Sequence, residues 1–468
     1  MEIVMSQNIF RKESLATYLG SDKQFVKSMN GIDLMTLGIG AIIGTGIFIL
    51  PGTVAATTAG PGVTLSFFFA AIVCALAAMC YAEFASALPV AGSAYSYGNV
   101  VFGEIVGWVL GWALILEYML AVASVSTGWS AYFASFIESF GIKIPTALSG
   151  PFDPAHGTYI NIVAVLIVLF VGWILSHGIS TSIKINDVMV LVKLAIIVIF
   201  IVIGIFFIKP RNYHPFLPYH LFGSLKGATT VFFAFLGFDV VAASSAEVKN
   251  PQKNMPIGII GSLIVATVLY MGVSIVLTGM VKYTHLDVAN PVAFALKYVN
   301  QGWLADLLSL GALVGMFTMM ISMTYSSSRL VYSIGRDGLL PNFISKFDEK
   351  HQAPQRALWI VTIIIAFMGG LVSLDQLTNL VNIGTLLAFT AVSFGVIPLR
   401  KRSDIKNDGF KVPLYPVLPI ISGLACIGMI CLLSAETLIN AAIWFILGLI
   451  IYFAYGYRHS KLSHLSDK

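Results

Sequence analysis

Long apolar segments, each near the length that a helix needs to cross a lipid bilayer, recur along the whole sequence. A crossing helix requires about 20 consecutive, mainly apolar residues. Charged residues make up only 10% of the 468 positions, whereas soluble domains contain roughly 25%. The sequence therefore predicts an all-α integral membrane protein with twelve transmembrane helices, at 31–58, 62–88, 104–134, 159–177, 183–208, 223–247, 255–281, 301–334, 357–374, 380–399, 414–434 and 438–457.

The basic residues are unevenly distributed between the two sides of this predicted bundle. Most of the 27 lysines and arginines lie in the tails and in alternate loops, which the positive-inside rule places in the cytoplasm. We therefore expect a multi-pass protein of a bacterial-type plasma membrane. Both termini would be cytoplasmic, with residues 1–30 and 459–468 as tails. The opposite loops contain few basic residues: Lys143, Lys209, Arg211, Lys226, Lys282 and Lys297.

Two of the predicted spans contain features that interrupt a helix. The first carries four glycines within residues 38–46, and the sixth carries the segment 233–239 near its middle. A broken helix in a bilayer exposes backbone groups, which is tolerable only where they line a cavity or meet a ligand. Because five helices separate the two features, we expect a transporter core, residues 31–400, built from a 5+5 inverted repeat (31–208 and 223–400) around a central site. Helices 11 and 12, residues 401–458, would follow.

The glycine-rich segment of the first span admits two interpretations. Gly40 and Gly44 fit a close contact between two helices, which is common in membrane proteins. The density of glycine around Thr45 favours an unwound turn instead, because an unwound turn needs several residues with free φ and ψ. The half-helix that begins near Gly46 would then direct its N-terminal amides at a carboxylate.

The second predicted break offers the opposite chemistry. The carbonyls of Phe233, Ala234 and Leu236 would lose their helical partners there and could accept hydrogen bonds from an ammonium group. A zwitterionic amino acid satisfies both breaks without burying net charge. The alternative for the aromatic ring of Phe233 is packing in the core or against lipid.

Three ionisable residues lie deep in predicted spans: Glu117 in the third, Lys193 in the fifth and Asp239 in the sixth. Such residues are costly in a membrane and by default indicate function. Lys193 could form an interhelical ion pair that only fixes packing, or it could carry a charge state that changes during transport. Glu117 could bind a proton, face the substrate side chain, or be a satisfied buried carboxyl.

Other ligand classes find no support in the sequence. The four cysteines fall in apolar stretches, the eight histidines show no metal-ligand spacing, and no phosphate-binding loop or nucleophile motif occurs. We therefore expect no metal, no cofactor and no enzymatic activity. A net charge of +5 does not indicate nucleic-acid binding, because its distribution between loops matters more than its sum. No obligate protein partner is evident.

These motifs together resemble the amino acid–polyamine–organocation superfamily of transporters. The chain is most similar to bacterial members of the cationic amino acid transporter family, which include branched-chain amino acid permeases. The resemblance runs from about residue 28 to 460 and implies twelve spans in the leucine-transporter fold, with helices 1 and 6 unwound around the substrate. It is carried by the segments 37–48, 81–84, 89–97, 232–239 and 247–256.

The resemblance also implies roles for particular residues. Gly44, Thr45 and Gly46 would contact the substrate carboxylate, and Phe233 would cover the site from outside. Lys193 matches a lysine that replaces a sodium ion in proton-coupled relatives, and Glu117 matches an acidic position of the cationic family. The substrate amine would meet four carbonyls, those of Ile42, Phe233, Ala234 and Leu236.

The leading expectation is a proton-coupled importer of neutral, branched or apolar amino acids, since Ile42, Ile43, Phe233 and Leu236 surround the expected site with apolar surface. A cationic or broad substrate range is the runner-up, with Glu117 as the counter-charge. An ion pair of Lys193 with Glu117 or with Asp239 would occupy that counter-charge, and the sequence does not place these partners. An uncoupled exchanger or pore and a sensing transceptor are the competing functions.

Overall fold

The computed structural model describes residues 10–12, 27, 29–90, 92–177, 183–245, 248–344, 346, 348, 354–405 and 408–462. These residues form helices, and the strand-like pairings among them are three isolated bridges. The helices are α1 Gly31–Ile42, α2 Thr45–Val54, α3 Val63–Ala87, α4 Ser93–Val101, α5 Glu104–Glu138, α6 Ile162–Ser176, α7 Ile183–Ile205, α8 His220–Val231, α9 Phe238–Ala243, α10 Pro251–Met280, α11 Pro291–Tyr298, α12 Gly302–Arg336, α13 Gln355–Leu371, α14 Leu374–Lys401, α15 Val417–Cys431 and α16 Ala435–Ile451.

Eight helical stretches of the described chain are long and apolar enough to cross a membrane, and four shorter apolar helices accompany them. The prediction of an all-α membrane protein is confirmed. The eight stretches are Thr45–Ala87, Glu104–Glu138, Val188–Ile205, His220–Ala243, Pro251–Met280, Gly302–Arg336, Leu374–Lys401 and Ala435–His459. The shorter helices are α1, α6, α13 and α15.

Several helices begin at a polar side chain that binds their first free amides. Asn30 accepts hydrogen bonds from the amides of Ile32 and Asp33, and the Asp33 carboxylate accepts one from the Asn30 amide. Ser373 and Ser434 cap α14 and α16 through their hydroxyls. Such caps satisfy amides that have no partner within the helix.

Two segments outside the predicted spans are helical. The segment around Tyr95 forms α4, and the residues before α12 form α11. The side chains of α4 are buried from Ser93 to Val101. A buried polar segment needs partners for its backbone groups, and a short helix supplies them internally.

The two predicted breaks are confirmed. Between α1 and α2, Ile43 and Gly44 leave helical geometry, with ψ values of 92° and −136°. Between α8 and α9, a 3-10 turn over Phe232–Phe235 leads into an extended Leu236 and into Gly237, whose φ is +121°. That φ favours glycine, because a Cβ atom would be strained there.

The breaks lie against one another in the interior. A Cβ atom added to Gly237 would be 2.7 Å from the carbonyl carbon of Ala41, and one added to Gly46 would be 2.6 Å from Cα of Ala234. Around them, α10 packs against α1 and α3, while α5 packs against α12 and α14. The glycines therefore bring the irregular backbone of both helices to one place between these two groups of helices.

Candidate functional site

The first break exposes the N-terminal end of α2. Thr45 is its first residue, and no side chain caps it. The first amides of any helix lack acceptors within that helix. The amide of Gly44 donates to the carbonyl of Ile42 at 3.0 Å, which leaves the amides that follow it, beginning with Thr45, as the open end of α2.

Two methionines of α12 pack against the N-terminal end of α2. Thr45 Oγ1 donates to Met316 Sδ at 3.3 Å, and a Cβ atom added to Gly44 would be 2.1 Å from Met319 Sδ. Gly46 packs on Ala234, as described above. Gly44 therefore lies at the break, as the unwound-turn interpretation predicts, and a close contact between helices is made by Gly46, which the packing interpretation of Gly40 and Gly44 did not include.

Lys193 of α7 reaches the same break. Its side chain is fully buried, and Nζ donates to the carbonyls of Gly40 and Ile43 at 2.7 and 2.8 Å. Among the described residues, no carboxylate lies within ion-pair distance of it. Of the alternatives left open for Lys193, the ion pair with Glu117 or Asp239 is not formed, because the unwound end of α1 offers carbonyls that bind the buried ammonium.

The second break contributes carbonyls that already have partners. The Phe233 carbonyl accepts from the amide of Leu236 at 3.3 Å. Tyr270 of α10 places its hydroxyl 2.6 Å from the Ala234 carbonyl and 3.0 Å from the Ile42 carbonyl. Three of the four carbonyls predicted for the substrate amine thus accept hydrogen bonds from the protein.

Apolar side chains surround the breaks. Ile42, Ile43, Phe233 and Leu236 are all buried. The burial of Phe233 excludes the lipid-facing alternative and leaves two roles for its ring, core packing and covering the site.

Two buried carboxyl groups lie near the second break. Asp239, in the first turn of α9, accepts from Tyr118 Oη of α5 at 2.8 Å. Glu117 is its electrostatic neighbour, and neither carboxyl oxygen of Glu117 has a hydrogen-bond partner within the described residues. Thr385 lies close to Glu117, but its hydroxyl donates to the carbonyl of Val381 at 3.1 Å. Asp239 and Thr385 are therefore the polar neighbours of Glu117.

Sequence reasoning missed Tyr118, Tyr270 and the two methionines. A signal existed for Tyr270, because a tyrosine inside an apolar span must find a partner for its hydroxyl. The sequence pattern of α10 could not identify which group the Tyr270 hydroxyl bonds to. For Met316 and Met319, nothing distinguishes them in the sequence from other apolar residues of α12.

The described part of the chain contains no group of three His, Cys, Asp or Glu side chains that could hold a metal ion.

A second set of charges lies at the end of the bundle where Arg11 approaches residues 452–460, which we call the termini end. It is defined by Arg11, Glu83, Glu104, Arg400 and Ser460. Arg11 donates to both carboxyl oxygens of Glu104 at 2.9 Å, and the hydroxyls of Tyr452 and Ser460 also donate to this carboxylate. Arg400 makes two such bonds to Glu83, at 2.6 and 2.7 Å.

A third carboxyl at the termini end is Asp337, which follows α12. It accepts from Tyr95 Oη at 2.7 Å. Burial raises the pKa of this carboxyl, although the charge of Arg336 opposes the shift. These contacts join α4, the start of α5, the end of α12 and the segment 452–461.

The broken helices, the buried lysine and the carboxyl pair have no counterpart in an ordinary helical bundle. A family model described as amino acid permease matches residues 30–456. The chain belongs to the amino acid permease family. It is therefore a multi-pass membrane transporter and not an enzyme.

Relatives in this family match nearly the whole chain. A methylthioribose transporter of Bacillus subtilis is 46% identical over 97% of this chain and 99% of its own length. The branched-chain amino acid permease BcaP of the same organism is 43% identical over 98% of this chain and 100% of its own. A vacuolar cationic amino acid transporter of Arabidopsis thaliana is 34% identical over 81% of this chain and 64% of its own.

Proposed function

We propose that this permease is a proton-coupled importer of neutral, branched or otherwise apolar amino acids across a bacterial plasma membrane. The observation that carries the proposal is the meeting of the open amides of α2 with the carbonyls of Ile42 and Ala234 at one buried place. An α-amino acid presents an anion and a cation on adjacent atoms, so it can use both without adding net charge. Branched-chain permeases among the relatives support the same substrate class.

The proposed architecture is the leucine-transporter fold with twelve crossings. Each of the twelve apolar segments contains a helix, and the four short helices can cross with their flanking residues or, as α1 does, as half of a broken span. We place both termini in the cytoplasm, which agrees with the contact between Arg11 and Tyr457 at the termini end and with the distribution of basic residues.

In the proposed complex, the carboxylate binds at Gly44, Thr45 and Gly46, where the helix end favours negative charge. The ammonium group meets the carbonyls of the break. Phe233, Ile42 and Ile43 contact the substrate side chain. Burying a leucine side chain there contributes about 1.5–3 kcal/mol to the binding free energy. The carbonyls of Phe233, Ala234 and Leu236 belong to the second break, which packs on Gly46. Glu117 lies close enough to Asp239 to border this site.

Proton coupling is proposed for Lys193, Glu117 and Asp239. Lys193 donates to the carbonyls of the break itself, so a change in its charge would alter the backbone that binds substrate. The unpartnered oxygens of Glu117 and its acidic neighbour Asp239 disfavour two negative charges at this place. Protonation of one carboxyl would relieve that repulsion.

Methylthioribose is a second candidate substrate. The relative that carries this name is 46% identical, and the free oxygens of Glu117 could accept hydrogen bonds from sugar hydroxyls. This neutral thioether sugar has neither a carboxylate nor an ammonium group. It would leave the amides of α2 unused, which is why we rank it below an amino acid.

Uptake by the purified protein in liposomes tests the proposal. We expect labelled leucine to accumulate against its gradient when the outside is acidic, and to stop accumulating when a protonophore is added. Unlabelled isoleucine, valine and methionine should compete, whereas arginine, lysine and methylthioribose should not. Competition by arginine alone would transfer the assignment to cationic substrates, and competition by methylthioribose alone would transfer it to the sugar. Leucine equilibration without accumulation would identify an uncoupled exchanger or pore.

A further inference from the structure

Tyr270 connects the two broken helices through a single hydroxyl. Its Oη atom is 3.0 Å from the carbonyl of Ile42, on the first break, and 2.6 Å from the carbonyl of Ala234, on the second. The tyrosine itself belongs to α10, an unbroken helix. One side chain of a regular helix therefore sets the distance between two irregular segments.

The position of this hydroxyl is fixed by aromatic packing. The ring of Tyr270 lies edge-on to Phe235, with centroids 5.1 Å apart, and tilted against Phe67, with centroids 5.5 Å apart. Phe67 comes from α3 and Phe235 from the second break. All three rings are fully buried. A ring held on two sides cannot swing its hydroxyl away without disturbing α3 or the break.

The hydroxyl leaves both carbonyls able to bind a ligand. A carbonyl oxygen has two lone pairs. The Ala234 carbonyl can therefore accept from Tyr270 and from a second donor at the same time. The Ile42 carbonyl also accepts from the amide of Gly44, so it keeps a lone pair for a ligand when the Tyr270 proton is donated to Ala234. A tyrosine hydroxyl has one proton, so it serves its two carbonyl neighbours with a single donor. An ammonium group has three donors and is suited to a pair of carbonyls already directed at one point.

We propose that Tyr270 is a positioning residue for amine recognition: its hydroxyl holds the Ile42 and Ala234 carbonyls at one point, where the substrate ammonium binds both. This inference rests on the proposed amino acid substrate and adds a residue to it. Lys193 has a different role, because it binds Gly40 and Ile43 on the first break alone. Loss of Tyr270 should impair recognition of the amine and spare coupling to protons.

The test compares Tyr270→Phe with wild type in liposomes, using labelled leucine and, as competitor, 4-methylpentanoate, which is leucine without its amine. In wild type we expect leucine to compete far better than 4-methylpentanoate. In Tyr270→Phe we expect the KM for leucine to rise about tenfold, the size expected for one weakened charge-assisted hydrogen bond. The preference for leucine over 4-methylpentanoate should fall by a similar factor. Vmax and the accumulation ratio under a proton gradient should stay within about twofold, because no group assigned to coupling changes.

Tyr213→Phe is the matched control. Tyr213 Oη also donates to a carbonyl of α10, that of Ile275 at 2.9 Å, but it lies outside the breaks. This variant loses the same kind of bond and should keep the wild-type KM and amine preference.

A second variant covers the case in which Tyr270→Phe fails to fold. Phe67→Leu keeps the hydroxyl and removes one ring that holds it, so it should raise the KM and weaken the amine preference in the same direction, by less. A wild-type KM and amine preference in the variants would overturn the role of Tyr270. A fall in Vmax alone would do so as well, since it would indicate a purely structural residue. If wild type itself does not distinguish leucine from 4-methylpentanoate, the proposed amino acid function fails instead.

Discussion

At the scale of single residues, the site depends on side chains that supply donors to backbone carbonyls. Lys193 and Tyr270 satisfy the carbonyls of Gly40, Ile42, Ile43 and Ala234 that a regular helix would have paired. A buried carbonyl without a donor is costly, so an unwound membrane helix requires such residues. The breaks and these two donors are therefore parts of one arrangement.

We expect Lys193→Ala to remain folded and to lose leucine accumulation driven by a pH gradient. The substitution removes the one ammonium group that contacts the first break among the described residues, and with it the charge assigned to the transport cycle. Uptake with and without the gradient measures the effect. Lys297→Ala is the control, because Lys297 is an exposed lysine whose ammonium group donates to the hydroxyl of Ser135, outside the breaks. Uphill uptake by Lys193→Ala at the wild-type level would contradict the coupling role.

At the scale of elements, the sequence located the two breaks because glycine density and a polar residue within an apolar run are local signals. The four glycines of residues 38–46 and the Gly237–Asp239 segment lie where the helices are interrupted. Tyr270 could not be assigned in the same way, since its hydroxyl bonds to a residue 228 positions away. The partners of Lys193 could not be assigned for a related reason: opposite charges suggest ion pairs, whereas the free carbonyls that Lys193 binds depend on the course of the backbone.

We expect Gly44→Ala and Gly46→Ala to fail in different ways. A Cβ atom at Gly46 would meet the backbone of Ala234, which cannot move without shifting the second break. At Gly44 it would meet the end of the Met319 side chain, which is flexible. Gly46→Ala should therefore lower the melting temperature of the purified protein more than Gly44→Ala does.

Gly44→Ala should give folded protein that binds leucine weakly, because the added methyl group and the displaced methionine crowd the proposed carboxylate position. Thermal unfolding and leucine binding separate the two outcomes. Full leucine affinity in folded Gly44→Ala would show that the carboxylate does not approach Gly44.

At the scale of the whole molecule, the termini end ties distant parts of the chain together. Arg11 binds the carboxylate of Glu104 at the start of α5, and the hydroxyls of Tyr452 and Ser460 bind it from the end of the chain. Gly103 makes this possible, since a Cβ atom there would be 2.6 Å from the carbonyl oxygen of Phe10. Nothing in the sequence pattern connected these residues, because the contacts join positions up to 446 apart.

We expect Arg11→Ala to destabilise the folded protein by about 1–3 kcal/mol, because it leaves the buried Glu104 carboxylate with hydroxyl donors only. The melting temperature in detergent is the measurement. Lys143→Ala provides a matched control, since it breaks a solvent-exposed pair with Glu138 at 3.6 Å and should change stability very little. Equal melting temperatures for Arg11→Ala and Lys143→Ala would show that the termini end does not stabilise the fold.

The central claim is that one buried site binds both charged groups of an amino acid, the carboxylate and the ammonium group. Binding of labelled leucine to the purified permease, challenged in parallel with leucine, leucinamide and 4-methylpentanoate, tests it most directly. Leucinamide lacks the carboxylate, and 4-methylpentanoate lacks the ammonium group. We predict that leucine displaces the label and that each analogue is weaker by at least about tenfold, the loss expected when one charged partner is removed. Displacement by either analogue at the same concentration as leucine would contradict the account.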